Sequence, residues 1–338
     1  MSPAIVSYII TGSFMSSRIS LYVATAVFAL AFIGCGGARK QTSVEPEAIA
    51  SVSEPAITFG TVAEIASGPV QVTTNPSNNG LGSYHPDGSK IVFQSDRDGR
   101  WQLYQLDPVA GTEELLIGSD ANDENPMWLP DSSGVVFVSD RIHPDEEYAR
   151  DIFFFDPVAI QTATLTEEAA DDWYPVPVNS DSYYFLSERE APAGQAPFEV
   201  ANCLYRGSFD GTPATLVAGI EVNPSAPADL EDGSLLVRTN SGQLAQLSAD
   251  GKLDPLTPMS LMCGTASYSH TRKIATLNAR EGEVYQLYLF NLATRTLQLV
   301  ETGEGDVRYP QFSPDGNKIL YSKEIDGNFQ LFQLELAQ

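Results

Sequence analysis

The sequence predicts an all-β fold, a six-bladed β-propeller closed by a strand from its N-terminal side. Three observations predict it. A self-similar unit recurs six times with a period near 45 residues, each unit has the composition of four short strands, and the strand lacking at the C-terminus has a counterpart ahead of the first unit.

The clearest copies of the unit are SYHPDGSKIVFQSDRDGRWQLYQLD from Ser83, MWLPDSSGVVFVSDRI from Met127 with IFFFD from Ile152, and QFSPDGNKILYSKEIDGNFQLFQLEL from Gln311. Weaker copies start at Tyr174, Ala228 and Ser267. Aligned on one position of the second strand they fall at Phe93, Phe137, Phe185, Val237, Thr276 and Tyr321, spaced 44, 48, 52, 39 and 45 residues apart. Each copy has a local logic. An aromatic-bearing first strand meets a Pro-Asp-Gly type turn that supplies a positive φ, and a β-rich second strand leads into a polar loop. A third strand such as NFQLFQLEL alternates polar and apolar residues, as side chains on successive faces require. Fourth strands read as TEELLIG, QTATLTE, TPATLVAG, GKLDPLTP and RTLQLVETG, and only the last unit lacks one. PVQVTT, Pro69 to Thr74, has their composition, and its pairing with the C-terminal strand would close the ring and leave no open seam.

Residues 1–34 hold no Asp or Glu and one basic residue, Arg18, ahead of the apolar run from Leu21 to Gly34, the layout of a secretory signal. Fourteen apolar residues are short for a membrane span of about 20. The run ends Phe32-Ile33-Gly34-Cys35, which resembles a lipobox and makes Cys35 the expected site of lipid attachment; Phe32 stands where Leu is usual. Met15 begins MSSR directly ahead of the run, an alternative start. The expected organisation is a signal over 1–34, a lipidated Cys35 with a flexible tether over 35–67 rich in Ala, Ser, Glu and Pro, and a propeller over 68–338. Cys203 and Cys263 remain, in a compartment that permits disulfides. The repeat map puts blade 4 between them, too far for a bridge, so both are expected as free thiols.

The copies FSPDGNKILYS, YHPDGSKIVFQSDRDG and LPDSSGVVFVSDR resemble the WD-like repeats of the TolB propeller family, over roughly residues 68–338. The resemblance implies a periplasmic propeller with a part in envelope organisation. The chain departs from the family in having about 33 residues between Cys35 and the first strand, where family members carry an α/β domain. The repeats also resemble the propeller of prolyl oligopeptidase-like peptidases, whose hydrolase domain has no room here.

The chain carries a net charge of −25, which falls to −26 once Arg18 leaves with the signal, and phosphate backbones should repel it, so nucleic acid is not an expected partner. No GxSxG, HExxH, P-loop, GxGxxG or sialidase Asp-box occurs, and His85, His143 and His270 lie far apart in turns or loops. No catalytic residue, metal site or cofactor is therefore expected, and the chain reads as no enzyme. The triplets Ser95-Asp96-Arg97 and Ser139-Asp140-Arg141, echoed by Ser187-Glu188-Arg189, recur at one repeat position, which argues for a structural turn with a local ion pair. Acids gather at one end of the first three blades: Asp96, Asp98, Asp120, Asp123, Glu124, Asp140, Glu167, Glu168, Asp171 and Asp172, with Glu188 beside them. They form either a solvated rim or a site for a cation or basic partner. Trp101, Trp128 and Trp173 read as packing between blades. The expected protein is a monomeric, lipid-anchored binding or scaffold protein of the cell envelope that recognises an envelope protein or a cationic ligand. Its competitor is a propeller enzyme, hydrolytic or carbohydrate-processing, with a channel-mouth site assembled from dispersed side chains.

Overall fold

Six small antiparallel sheets account for all but one of the strands in the computed structural model, which describes residues 54–144, 150–167, 170–189, 202–222, 228–230 and 232–338. The signal over 1–34, Cys35, the tether up to residue 53 and Glu168 lie outside the described residues. Blade 1 comprises Asn79–Tyr84, Ile91–Ser95, Gln102–Asp107 and Thr112–Ile117; blade 2 Asp123–Trp128, Val135–Ser139, Asp151–Asp156 and Gln161–Thr164. Blade 3 comprises Asp172–Pro177, Ser182–Ser187, Asn202–Ser208 and Thr215–Val222; blade 4 Ala228–Asp229, Leu235–Arg238, Leu244–Leu247 and Leu253–Pro255. Blade 5 comprises Met262–Ser269, Ile274–Arg280, Gln286–Asn291 and Thr296–Val300, and blade 6 Val307–Phe312, Lys318–Ile325 and Asn328–Leu336. The six aligned positions, Phe93 to Tyr321, all sit in second strands and are buried, because that strand is flanked by neighbours on both sides of its sheet.

The ring is latched by an N-terminal strand as expected, but that strand begins at Ile65, inside the segment read as tether, and ends at Gln71 instead of running from Pro69 to Thr74. Ile65–Gln71 pairs antiparallel with Asn328–Leu336 and supplies the fourth strand of blade 6. Gln330, 4% exposed, fastens this joint. Its Oε1 accepts from the Thr73 hydroxyl at 2.9 Å and from Asn79 Nδ2 at 3.1 Å, and its Nε2 donates to the Ser77 carbonyl at 2.7 Å. One side chain thus ties the latch segment, the C-terminal strand and the first strand of blade 1. A difference from the sequence reading lies just upstream: within the segment read as tether, Thr58–Phe59 adds a parallel fifth strand to the edge of blade 5. Two residues carry no periodicity, so pattern alone could not show this strand.

Apolar side chains bury themselves between blades. Six clusters fill the six interfaces, among them Tyr84, Ile91, Phe93, Tyr104 and Leu106 of blade 1 against Leu320 and Leu331 of blade 6, across the latched seam. Cys203 and Cys263 are buried and form no disulfide among the described residues. The Ser-Asp/Glu-Arg triplets form a recurrent brace. Nε of Arg97, Arg141 and Arg189 donates to the hydroxyl of Ser95, Ser139 and Ser187 respectively, at 2.9–3.1 Å. The guanidinium of Arg97 lies over Phe93 and Tyr104, that of Arg141 over Phe137 and Phe153, and that of Arg189 over Phe185 and Tyr205. Each ends on a buried carboxylate, Glu113, Asp123 or Asp172, at 2.6, 2.6 and 2.8 Å.

Candidate functional site

The first strands line the central channel, and the same irregularity occurs in five of them. Pairing with the second strand slips between Gly80 and Ser83, Glu124 and Met127, Trp173 and Val176, Cys263 and Ala266, and Arg308 and Gln311. In all but the blade 5 slip one residue adopts a positive φ: Leu81 (49°), Asn125 (52°), Tyr174 (50°) and Tyr309 (53°). These are β-bulges, which leave a residue unpaired and re-aim its side chain. Proline follows in three of them, Pro126, Pro175 and Pro310, where a missing N–H costs nothing because the ladder is already interrupted. Non-glycine residues in this region are costly, and such strain clusters at functional sites.

The bulges border a cavity of about 210 Å³ within the channel. Its lining includes Leu81, Asn125, Met127, Tyr174, Tyr309 and the three prolines, together with Asp229 of blade 4 and Ser267, Tyr268 and His270 of blade 5. The Tyr174 and Tyr309 hydroxyls hydrogen-bond to each other, and burial raises the pKa of both, with the nearby Glu124 charge adding to the rise. The Asp229 carboxyl is pushed above its ordinary value by burial, against the opposing pull of the His270 charge and of the Leu230 amide. The His270 ring packs edge-on against Tyr268, with centroids 5.3 Å apart. Asp229 ends the short first strand of blade 4 and His270 follows the first strand of blade 5, so neighbouring blades bring together residues 41 positions apart in the chain. A carboxyl and an imidazole on one cavity wall are groups that can pass a proton to or from a bound substrate.

The acidic residues singled out in the sequence lie at the opposite end of the strands, where first strands begin and second strands finish. Structural roles absorb most of them. Asp123, Asp171 and Asp172 are buried; Asp123 and Asp172 hold the arginine brace, and Asp171 accepts from the Arg150 amide at 2.8 Å. Asp96 and Asp140 each accept from the backbone and side chain of an asparagine, Asn78 and Asn122, at 2.8 Å. Glu124 pairs with Arg150 at 3.3 Å, and burial raises its pKa in spite of that partner. Asp98, which accepts from the Tyr104 hydroxyl, Asp120 and Glu167 are exposed. Among the described residues, no group of three or more His, Cys, Asp or Glu side chains is placed to hold a metal ion.

Of the histidines, His85 bonds Asp87 within its turn at 2.6 Å and His143 lies 3.9 Å from Asp151. His270 departs from the turn role expected of all three, because its turn abuts the channel. Trp128 packs between blades 1 and 2, and Trp173 lies under the Arg150 guanidinium at 4.4 Å.

No protein-family model matches the chain. An uncharacterised protein of Agrobacterium fabrum is 26% identical over 105 residues, a match spanning 31% of this chain and 34% of that protein. Among solved structures, a gluconolactonase from Xanthomonas campestris superposes with a TM-score of 0.59 at 15% identity, covering 88% of this chain and 99% of that one. An oligogalacturonate lyase in complex with manganese gives 0.51 at 16% identity, covering 86% and 99%. TolB from Acinetobacter baumannii gives 0.39 at 18% identity, covering 79% and 56%. The likenesses to the gluconolactonase and the lyase show the fold. They also overturn the expectation that the chain is no enzyme, since the chain spans nearly the whole fold of two enzymes. That expectation rested on the absence of linear motifs. A propeller collects its channel residues one blade at a time, tens of positions apart, and needs no such motif.

Proposed function

We propose that this chain is a propeller enzyme whose site is the channel cavity, acting on a small carbohydrate-derived ester or lactone. The observation that carries the reading is that Asp229 and His270, the one carboxyl and the one imidazole among the described residues lining that cavity, share its wall closely enough for the His270 charge to act on the Asp229 carboxyl. In the proposed step the imidazole takes a proton from a water molecule as its oxygen adds to the substrate carbonyl carbon. The ester C–O bond then breaks, and the same proton passes to the departing alkoxide, leaving a carboxylic acid and an alcohol. Asp229 orients the ring and stabilises its charge while protonated. The gluconolactonase likeness agrees with this chemistry in fold only. Turnover should be measured on a panel of neutral sugar lactones and esters with the wild type, Asp229→Asn and His270→Gln. General acid–base catalysis contributes on the order of 10²–10⁴-fold, so both variants should lose at least 100-fold in kcat. Full activity in either variant would refute the assignment.

We further propose that the enzyme is exported and held at the cell envelope through a lipid on Cys35, supported by the Phe32-Ile33-Gly34-Cys35 sequence after the apolar run. Labelling with a palmitate analogue should mark the wild type and leave Cys35→Ala unmarked. Equal labelling of both would reject the anchor.

A further inference from the structure

We infer that the cavity is built for one neutral, hydroxyl-bearing ring, and that the Asn125 carboxamide oxygen accepts a hydrogen bond from one of its hydroxyls. This deepens the proposed function and rests on it only for the ligand being turned over.

Asn125 lines the cavity and is 7% exposed, yet its Oδ1 has no hydrogen-bond partner. Buried acceptors are nearly always satisfied, and this one belongs to a residue of the cavity wall, where turning the carboxamide brings Oδ1 to a ligand donor. The residue is held in place. Its backbone amide donates to Gln94 Oε1 at 2.8 Å, and its φ of 52° is fixed by the bulge and by Pro126. A surface asparagine would find water, whereas this one is enclosed.

Charge decides the class of ligand. The described lining residues include Asp229 and His270 but no Lys or Arg, in a chain of net charge −25. A carboxylate or phosphate entering there would shed its water without gaining the guanidinium or ammonium partner that buried anions require. The cavity therefore disfavours uronic acids and sugar phosphates. Size and wall chemistry narrow the choice further. About 210 Å³ lies below the roughly 300–1,000 Å³ of pockets for drug-sized ligands, which suits a single ring and not a chain of them. Pro126, Pro175 and Pro310 with Tyr174, Tyr309 and Met127 provide apolar surface for the C–H faces of such a ring.

Binding of matched probes to the full chain tests this. Galactose against galacturonate, glucose against glucuronate and glucose 6-phosphate, and myo-inositol against its monophosphate would be titrated by calorimetry and saturation-transfer NMR. At least one neutral probe should bind, with its acidic counterpart weaker by about tenfold or more. Asn125→Gly suits the positive φ and removes the acceptor, so it should weaken that probe about tenfold. Asn125→Asp restores an acceptor and should recover part of the loss, with thermal unfolding verifying that both variants fold. Glu335→Ala, an exposed position outside the cavity, should bind the probe as the wild type does. Failure of every neutral probe to bind, equal binding of acidic counterparts, or unchanged affinity in Asn125→Gly would overturn the inference. Retained binding with no turnover would instead remove the enzymatic reading alone.

Discussion

Replacing Gln330 with alanine should cost about 3 kcal/mol, because this side chain is the polar rivet of the ring closure. The magnitude follows from the three short hydrogen bonds, with the Thr73 hydroxyl, Asn79 Nδ2 and the Ser77 carbonyl, at 2.7–3.1 Å; a fourth, from Gln71 Nε2, is long at 3.4 Å and its donor keeps the Thr73 carbonyl. Each contributes about 1 kcal/mol net. The partners are not left wholly bare: Thr73 Oγ1 still accepts from the Leu331 amide, and Asn79 Nδ2 still donates to the Asn75 and Ser77 carbonyls. The sum of the three bonds therefore suffices, with no large added penalty for orphaned groups. Urea unfolding followed by tryptophan fluorescence would read the loss as a lower midpoint at unchanged slope. Glu335→Ala, an exposed position on the same strand, serves as the control and should stay within about 0.5 kcal/mol of wild type. A Gln330→Ala loss below about 1 kcal/mol, or one matched by Glu335→Ala, would refute the claim that the joint is fastened here.

Other consequences follow from the same geometry. Burial, aided by the Asp171 charge, raises the Glu188 pKa from 4.5 to about 7. The folded chain holds this proton where the unfolded chain releases it, so stability falls as pH rises from about 4.5 to about 7. Glu188→Gln should remove that slope and gain about 1–2 kcal/mol at pH 8, after allowance for solvent screening at the rim; pH-resolved unfolding showing parallel profiles for variant and wild type would contradict this. Arg141→Met leaves the Asp123 carboxylate buried without its 2.6 Å partner and should cost about 3 kcal/mol by urea unfolding. The double variant with Asp123→Asn should recover at least half. Gly134→Ala would drive a methyl into the Phe155 carbonyl oxygen and the Phe154 ring, so a loss of about 2 kcal/mol is expected from thermal unfolding, and a neutral result would mean the strand shifts freely.

The architecture was legible because a propeller repeats its physics. The second strands announced themselves through Phe93, Phe137, Phe185, Val237, Thr276 and Tyr321, and the missing last strand pointed to Pro69–Thr74. The brace was legible in part: a Ser-acid-Arg triplet returning at one repeat position in three blades suits a structural task, but the expected ion pair inside the triplet gives way to pairs of Arg97, Arg141 and Arg189 with Glu113, Asp123 and Asp172. The cavity was not. A bulge breaks the two-residue alternation that marks a strand, so the pattern did not single out Asn125, Tyr174 or Tyr309. Their common signal was present as three X-Pro pairs at one repeat position, Asn125-Pro126, Tyr174-Pro175 and Tyr309-Pro310. Asp229 and His270 left no trace, for their meeting depends on how adjacent blades turn about the channel. The acidic residues misdirected attention to the other end because charge counts do not reveal which carboxylates the fold consumes, as Asp123 and Asp172 are consumed by Arg141 and Arg189.

The most direct test of the channel as the working site is a crystal structure of Asp229→Asn soaked with a neutral sugar lactone. The account predicts one ring between blades 2 and 5, with a hydroxyl within hydrogen-bonding distance of Asn125 Oδ1 and its carbonyl facing His270. A lactone seated on the acidic end beside Asp98 and Asp120, with the channel holding only solvent, would contradict it.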